Sequence, residues 1–402
     1  MSAPATGKKV LHIGKYFPPH VGGMETYLYS LMQALVTLNI VPCALVHQSE
    51  ISLNSVEESF LANGSTLRIV RAATWCRFLF TPISPGFPWL LHRLIKKGHP
   101  DLLHLHLPNP SAFWALVLPS ARRLPWVVHW QSDVLTHRSH WLLKLAYRIY
   151  SPLESALLKK ADKVIVSSPP YLVTSQPLAK ISDKCAVIPL GIEDRFGDQT
   201  RNDSAVAPAS AGTASGTAAG NLNVLAIGRM TQYKGFDILL RAIAQTEGIT
   251  LDLVGHGELT RSLERLTDSL NLSARVRFHG LLDDNGKDTL LSQCDCLCLP
   301  STDRNESFGM VLLEAMSAAK ACVVSDVEGS GMSWLVEDNQ TGLITPANDV
   351  DSLTDALCRL RDDPDLAIRL GLKGRQKFVS ALTIEASAEA IRDLYSLLPS
   401  PQ

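Results

Sequence analysis

Several signatures are missing from this 402-residue chain, and each absence excludes a class of protein. No apolar run approaches the roughly 20 residues that a membrane-spanning helix needs. The opening MSAPATGKKVLHIGKYF breaks its apolar stretch at Lys15, so it lacks the pattern of a secretory leader and a cytoplasmic location is expected. The eight cysteines have no two-by-two zinc spacing and read as reduced thiols. Cys294, Cys296 and Cys298 alternate in CDCLCLP, which puts them on one face of a strand. Small side chains in a core strand are the first reading there, with a metal or redox site as the alternative. The phosphate loop GxxxxGK[ST] is absent, and neither half carries GxGxxG followed by an acid at the right distance, which argues against an ordinary dinucleotide oxidoreductase. With no arginine-rich run and no aromatic ladder, no nucleic-acid partner is expected.

What is present is an apolar fraction of 46%, ample for two packed cores in a chain of this length. The net charge of −1 hides an asymmetry, since residues 1–190 hold 19 Lys+Arg against 9 Asp+Glu and the remainder 19 against 30. A basic first half is attracted to an anionic surface, either a membrane or a polyphosphate; two solvated faces of different sign are the alternative. KVLHIGKYF, DLLHLHLP, LPWVVHW, KKADKVIVSS and KCAVIPLGI read as buried parallel strands linked by helices. Residues 198–220 are dominated by Ala, Ser, Gly and Thr and read as a flexible linker. NVLAIGRM, TLDLVGHG, RVRFHG, CDCLCLP and ACVVSDVEG then restart the pattern. Two doubly wound α/β domains are expected, at 1–197 and 221–385. A helix or tail at 386–402 would pack back on the first domain. Ligands should bind at the carboxyl ends of the strands, in a cleft between the domains.

Four motifs sit at such ends. ESFGMVLLEAM places Glu306 before a helix start at Phe308–Gly309 and Glu314 two turns in, about 80° further round the helix. Gly309 lets a ligand approach, and first-turn amides suit a phosphate or sugar hydroxyls. A helix-start acid and a buried ion-pair partner remain open as the plainer roles. IGRMTQYKG puts Arg229 and Lys234 where two cations can clamp a diphosphate. KYFPPHVGGMETYLYSL leads through Gly22 and Gly23 into a helix, while VVHWQSDV and LLHLHLPNP place His129, Asp133, His104, His106 and Asn109 at neighbouring strand ends.

With these elements in this order, the chain resembles the family 4 retaining glycosyltransferases of GT-B architecture, two facing Rossmann-like domains. FPPHVGGMETYLYSL, LLHLHLP, VVHWQSD, ADKVIVSSP, VIPLGIE, IGRMTQYKG, LVGHGE, ESFGMVLLEAM and TGLITPANDVDSL carry the resemblance. It implies that Glu314 accepts from the ribose hydroxyls of a nucleotide-sugar donor and that Glu306 lies by the donor sugar. The backbone N–H groups of Phe308, Gly309, Met310 and Val311 would hold sugar and phosphate. Arg229 and Lys234 match the diphosphate pair, Gly22 and Gly23 the loop over the phosphates, and His129 a position beside the sugar. Asp133, His106 and Asn109 fall on the acceptor side. Transfer with retention, without metal or other cofactor, is implied. No DxD stands at a strand end, and the D-P-D of RDDPD reads as an interhelical turn.

Two departures from the family pattern are Ser307, where glycine is common, and Gly-Met-Ser-Trp at 331–334 in place of Gly-x-Pro-Glu. The bacterial branch that builds O-antigen or exopolysaccharide, often from GDP-mannose, is the nearest in pattern. That branch implies a lipid-linked glycan acceptor and a peripheral place on the inner membrane. Trp75, Arg77, Phe78, Phe80, Phe87 and Trp89 with Lys96 and Lys97 could form an interfacial patch on an anionic membrane, or residues 88–97 an ordinary amphipathic helix packed on the sheet. A non-hydrolysing nucleotide-sugar epimerase and a nucleotide-sugar-binding protein without catalysis remain as alternatives.

Overall fold

The computed structural model describes residues 7–20, 22–62, 65–78, 81–134, 141–197 and 220–399. Described residues of Met1–Glu193 and Ile384–Gln402 form one compact unit and those of Asp194–Thr383 another. The expected linker at 198–220 lies, apart from Gly220, outside the described residues. The second unit claims Asp194 and Arg195, which the sequence reading leaves in the first domain. Ion pairs account for this: Arg375 grips both carboxylate oxygens of Asp194 at 2.6 Å, and Arg195 pairs with Asp288 at 2.8 Å. The terminal helix starts at Ile384 rather than 386, where its first N–H donates to the Ile192 carbonyl at 2.9 Å.

In the first unit the strands are β1 (Lys8–Ile13), β2 (Ile40–His47), β3 (Val56–Ala62), β4 (Ser65–Ala72), β5 (Cys76–Phe78), β6 (Thr81–Ile83), β7 (Leu102–Leu107), β8 (Trp126–Trp130), β9 (Lys163–Val166) and β10 (Cys185–Val187). Eight form one sheet in the order β10-β9-β8-β7-β1-β2-β4-β3, and β5 and β6 pair separately. The expectation of an all-parallel sheet needs correction, because β3 runs antiparallel to β4 at the edge. Strands β2 to β6 are passed over in the sequence. IVPCALVH follows a helical run without a polar break, and VEESFLA carries acids that face Arg68 and Arg71 on β4.

Parity along β7 sorts the first unit's interior. In LLHLHL, Leu103, Leu105 and Leu107 join the apolar core with Phe87, Leu91, Trp126 and Trp130. The alternate positions, His104 and His106, point to the other face. Register places His12 beside His104 and His129 beside His106, so four histidines share that face. The Gly23–Thr37 helix and the Ile384–Ser396 helix bring Tyr27 and Tyr395 against them, at ring distances of 5.2 Å from His129 and 5.7 Å from His104. Tyr27 also shares a 2.8 Å hydrogen bond with Ser387, which joins the two helices.

The second unit is a parallel sheet of β11 (Leu222–Ile227), β12 (Ile249–Val254), β13 (Val276–Gly280), β14 (Cys296–Leu299), β15 (Ala321–Asp326) and β16 (Gly342–Pro346), ordered β13-β12-β11-β14-β15-β16. Strand β16, short and ending on proline, is missing from the five strand-like runs of the sequence reading. Cys294, Cys296, Cys298 and Cys322 are all buried, and burial pushes their thiols up, that of Cys294 to about 12, so they are inert core side chains.

Both sheets reverse winding direction once, between β1 and β7 in the first and between β11 and β14 in the second. Loops leaving the carboxyl ends on either side of such a reversal diverge and open a crevice. In the second unit the loops after β11 and β14 come so close at their far ends that only glycine fits. Gly235 has φ +65°, and a Cβ there would run into the Pro300 carbonyl. We predict that Gly235→Ala lowers unfolding free energy by at least about 2 kcal/mol in urea. Gly98→Ala, at a helix end with open space around it, should change stability by no more than about 1 kcal/mol.

Candidate active site

The crevice of the second unit collects most of the residues marked in the sequence. After β11 the chain passes Arg229 and makes a short 3-10 turn at Gln232–Lys234; Gly235 then caps the Phe236–Ala244 helix. Lys234 thus lies in the turn before the helix. Its side chain is buried, and its Nζ meets Glu306 Oε2 at 2.5 Å. Burial pulls the lysine pKa down, but Glu306 and Tyr233 outweigh it, and the ammonium stays charged above its ordinary value. Arg229 differs: it is 68% exposed and reaches Glu258 only at 3.4 Å. The Tyr233 phenol, pushed up first by burial, feels Lys234, Glu306 and Arg229 together, so the three belong to one electrostatic neighbourhood.

Glu306 leaves β14 through the loop Ser301–Ser307 and accepts from Ser301 Oγ at 3.3 Å. Its carbonyl accepts from Ser330 Oγ at 2.5 Å, and the Ser307 carbonyl accepts from Gly331 N at 2.8 Å. The two segments that depart from the family pattern, at 307 and at 331–334, are thus joined through the backbone of Ser307 and Gly331, and Ser330 braces Glu306 beside them. Gly309, at φ +87°, caps the Met310–Ser317 helix without any side-chain cap. The first amides of that helix, at Met310 and Val311, have no acceptor inside it. Phe308 puts its side chain into the core, so only its main chain is available to a ligand.

Glu314 sits in the same helix and is largely buried. Burial raises its pKa, and Lys287, 3.5 Å from Oε1, opposes that rise. Its Oε2 has no hydrogen-bond partner among the described residues, so an acceptor is poised without a donor. Lys287 also meets Asp284 at 2.8 Å, and Asp284 meets Arg195 at 3.3 Å. Lys287 and Arg195 escaped the sequence reading. Neither lies in a motif, and only the packing of the Asp284–Gln293 helix brings Lys287 to Glu314.

In the first unit the crevice by β1 and β7 is lined by Lys15, Glu25, His106 and Gln131 among others. Gly22, in extended backbone, caps the Gly23–Thr37 helix, again with no side-chain cap. His106 is buried beside it. Asn109 Oδ1 accepts from Ser111 N at 3.2 Å, while its Nδ2 is unpartnered among the described residues. Asp133 is engaged structurally: Oδ1 accepts from Trp130 Nε1 at 2.8 Å and from Ser175 Oγ at 2.7 Å. His129 is fully buried, and burial takes its pKa down to about 3, so it is neutral and carries no exchangeable charge near pH 7. It can orient a ligand by hydrogen bonding but cannot hold a proton as imidazolium.

Comparison with known proteins identifies the family and the fold. Residues 21–196 match the family described as Glycosyltransferase Family 4, and residues 214–377 match Glycosyl transferases group 1. The O-antigen chain mannosyltransferase C of Escherichia coli is 29% identical over 395 residues, covering 97% of this chain and 98% of that one. A D-rhamnosyltransferase of Pseudomonas aeruginosa is 30% identical over 380 residues, covering 93% and 92%. Among solved structures, sucrose-phosphate synthase from Thermosynechococcus elongatus superposes with TM-score 0.75 at 23% identity over 97% of this chain and 98% of that one. HepE of Anabaena, in complex with UDP and glucose, gives 0.70 at 20% over 98% and 100%. The fold is GT-B, built of two Rossmann-like domains, and the chain belongs to glycosyltransferase family 4.

Proposed function

We propose that the protein moves a hexose-type sugar from a nucleotide-diphosphate sugar, GDP-mannose being the first donor to try, to a lipid-linked glycan of a bacterial surface polysaccharide. The carrying observation is the buried Lys234–Glu306 pair beside the uncapped Met310–Ser317 helix at the winding reversal of the second unit. The relatives named above, an O-antigen mannosyltransferase and a D-rhamnosyltransferase, support the polysaccharide assignment. In the reaction the bond from the anomeric carbon to the β-phosphate oxygen breaks and a bond from the acceptor oxygen forms on the same face, retaining configuration. The acceptor proton passes to the departing phosphate oxygen. Lys234 and Arg229 offset the charge that develops on the diphosphate, so the transfer step needs no metal. Arg229 is free to swing onto a phosphate because an exposed ion pair holds it with little energy. Glu306 keeps Lys234 aimed and accepts from a sugar hydroxyl, and Glu314 accepts from the ribose.

Peripheral contact with an anionic membrane belongs to the same reading. No described helix is long and apolar enough to cross a membrane. Trp75, Phe78 and Trp89 are 53%, 60% and 62% exposed, with Arg77, Lys96 and Lys97 exposed beside them in sequence. Phe87 leaves the expected patch, since it is fully buried in the core, and Phe80 lies outside the described residues. The Phe87–Gly98 helix both packs Leu90, Leu91 and Leu94 inward and leaves Trp89 outside. The Trp141–Lys160 helix adds exposed Leu145, Ile149 and Leu153 with Lys144 and Arg148 on the same element.

Three outcomes test these assignments. Lys234→Ala should lower kcat for sugar transfer by about 100-fold or more and also lower the melting temperature, because it leaves the buried Glu306 without its partner; unchanged transfer by the folded variant would remove Lys234 from the site. Lys287→Met should raise the Glu314 pKa further, because Lys287 is what holds it down. Donor binding needs the carboxylate, so the acidic limb of kcat/KM for the donor should move to higher pH; an unmoved limb would sink this role. Finally, the protein should sediment with vesicles rich in anionic lipid at low salt and be released near 1 M salt, where the screening length falls to about 3 Å. Trp89→Ser combined with Lys96→Glu should weaken that binding, and equal binding to neutral vesicles at high salt would contradict a charge-driven contact.

A further inference from the structure

The shared face of β1, β7 and β8 holds four histidines, of which the sugar-transfer reading draws on His106 and His129 and leaves His12 and His104 without a role. His12, His104, His106 and His129 are all buried, and their rings lie 4.4 to 5.5 Å apart. Two side-chain contacts serve the four: His12 Nδ1 to His106 Nε2 at 3.1 Å, and His104 Nδ1 to the Tyr395 hydroxyl at 2.6 Å. His12 Nε2, His104 Nε2, His106 Nδ1 and both nitrogens of His129 have no hydrogen-bond partner among the described residues. Buried polar atoms without a partner are uncommon, and a bound ion with its water is one way to supply partners, here to His104 Nε2 and His129.

We propose that His12, His104 and His106 bind a divalent transition-metal ion of the zinc type, with a structural rather than a catalytic role. Each of the three offers a nitrogen, and these atoms lie within 4.8 Å of one another. Nitrogens about 2.0 Å from a tetrahedral zinc stand about 3.3 Å apart, and His12 Nδ1 and His106 Nε2 already stand 3.1 Å apart, in a hydrogen-bond contact that the ion would replace. Tyr395 holds Nδ1 of His104, which leaves Nε2 as the ligand atom and fixes the ring as outer partners of metal-bound imidazoles do. Three neutral ligands leave a fourth position for water or hydroxide, and the unpartnered nitrogens of His129 are the hydrogen-bonding groups at hand for it. The ion would tie β1 and β7 to the terminal helix through Tyr395. The ion takes no part in sugar transfer, so metal binding and transfer can be tested independently.

The test uses the full chain with no histidine tag. Elemental analysis after exhaustive dialysis should find about one zinc per chain, and chelation should lower the melting temperature, restored by added zinc. Cobalt(II) added to the metal-free chain should give the visible absorption of a four-coordinate ion at one equivalent. His104→Gln should abolish that band. Should this variant fail to fold, the wild-type cobalt titration with or without prior one-equivalent zinc decides the matter, because zinc must block the band. Metal well below one per chain together with no cobalt band would overturn the proposal, as would a stoichiometric band that persists in a folded His104→Gln protein.

Discussion

Lys234 and Glu306 leave neighbouring parallel strands, β11 and β14, and their 2.5 Å contact depends on those loops folding toward each other. A buried ammonium without a carboxylate would be too costly to keep, and the reverse holds for the acid. The pair therefore demands the close approach that Gly235 permits against Pro300. It also demands the brace that Ser330 and Gly331 supply to the 306–307 carbonyls. The strand order of the second unit, the αL glycines and the serine loop all serve one position.

A second consequence concerns what the cleared space favours. Exposed Arg229, the uncapped amides after Gly309 and the unpartnered oxygen of Glu314 present cation, donors and acceptor in turn. A diphosphate, sugar hydroxyls and a ribose need those three complements. Lys287 and Arg195 extend the site electrostatically without touching the chemistry, since they govern how readily Glu314 keeps its charge.

Much of this was legible in the sequence because it is local. ESFGMVLLEAM and IGRMTQYKG announce a strand end, a glycine and a helix start within a dozen residues. The pairing of Lys234 with Glu306 was not legible, since 72 positions separate them and only the strand order β11-β14 makes them neighbours. Lys287 left no signal for the same reason. Strands β2 to β6 escaped because an apolar run flowing from a helix and a charged edge hairpin carry no clean period. The histidines of LLHLHLP were visible as alternation, but alternation alone cannot reveal that His12 and His129 stand beside them or that so many of their nitrogens go unpaired. Asp133 is legible as a strand-end residue, which the resemblance puts on the acceptor side, but its engagement by Trp130 and Ser175 is not.

The central claim is that the second unit's crevice receives a nucleoside diphosphate through Lys234 and Glu314. Calorimetric titration of the intact chain with GDP, UDP and ADP tests it without any acceptor. At least one should bind, and the Lys234→Ala, Glu314→Gln double variant should bind the same nucleotide at least about 100-fold more weakly, a loss near 2.7 kcal/mol. Undiminished binding by a folded double variant would contradict the account.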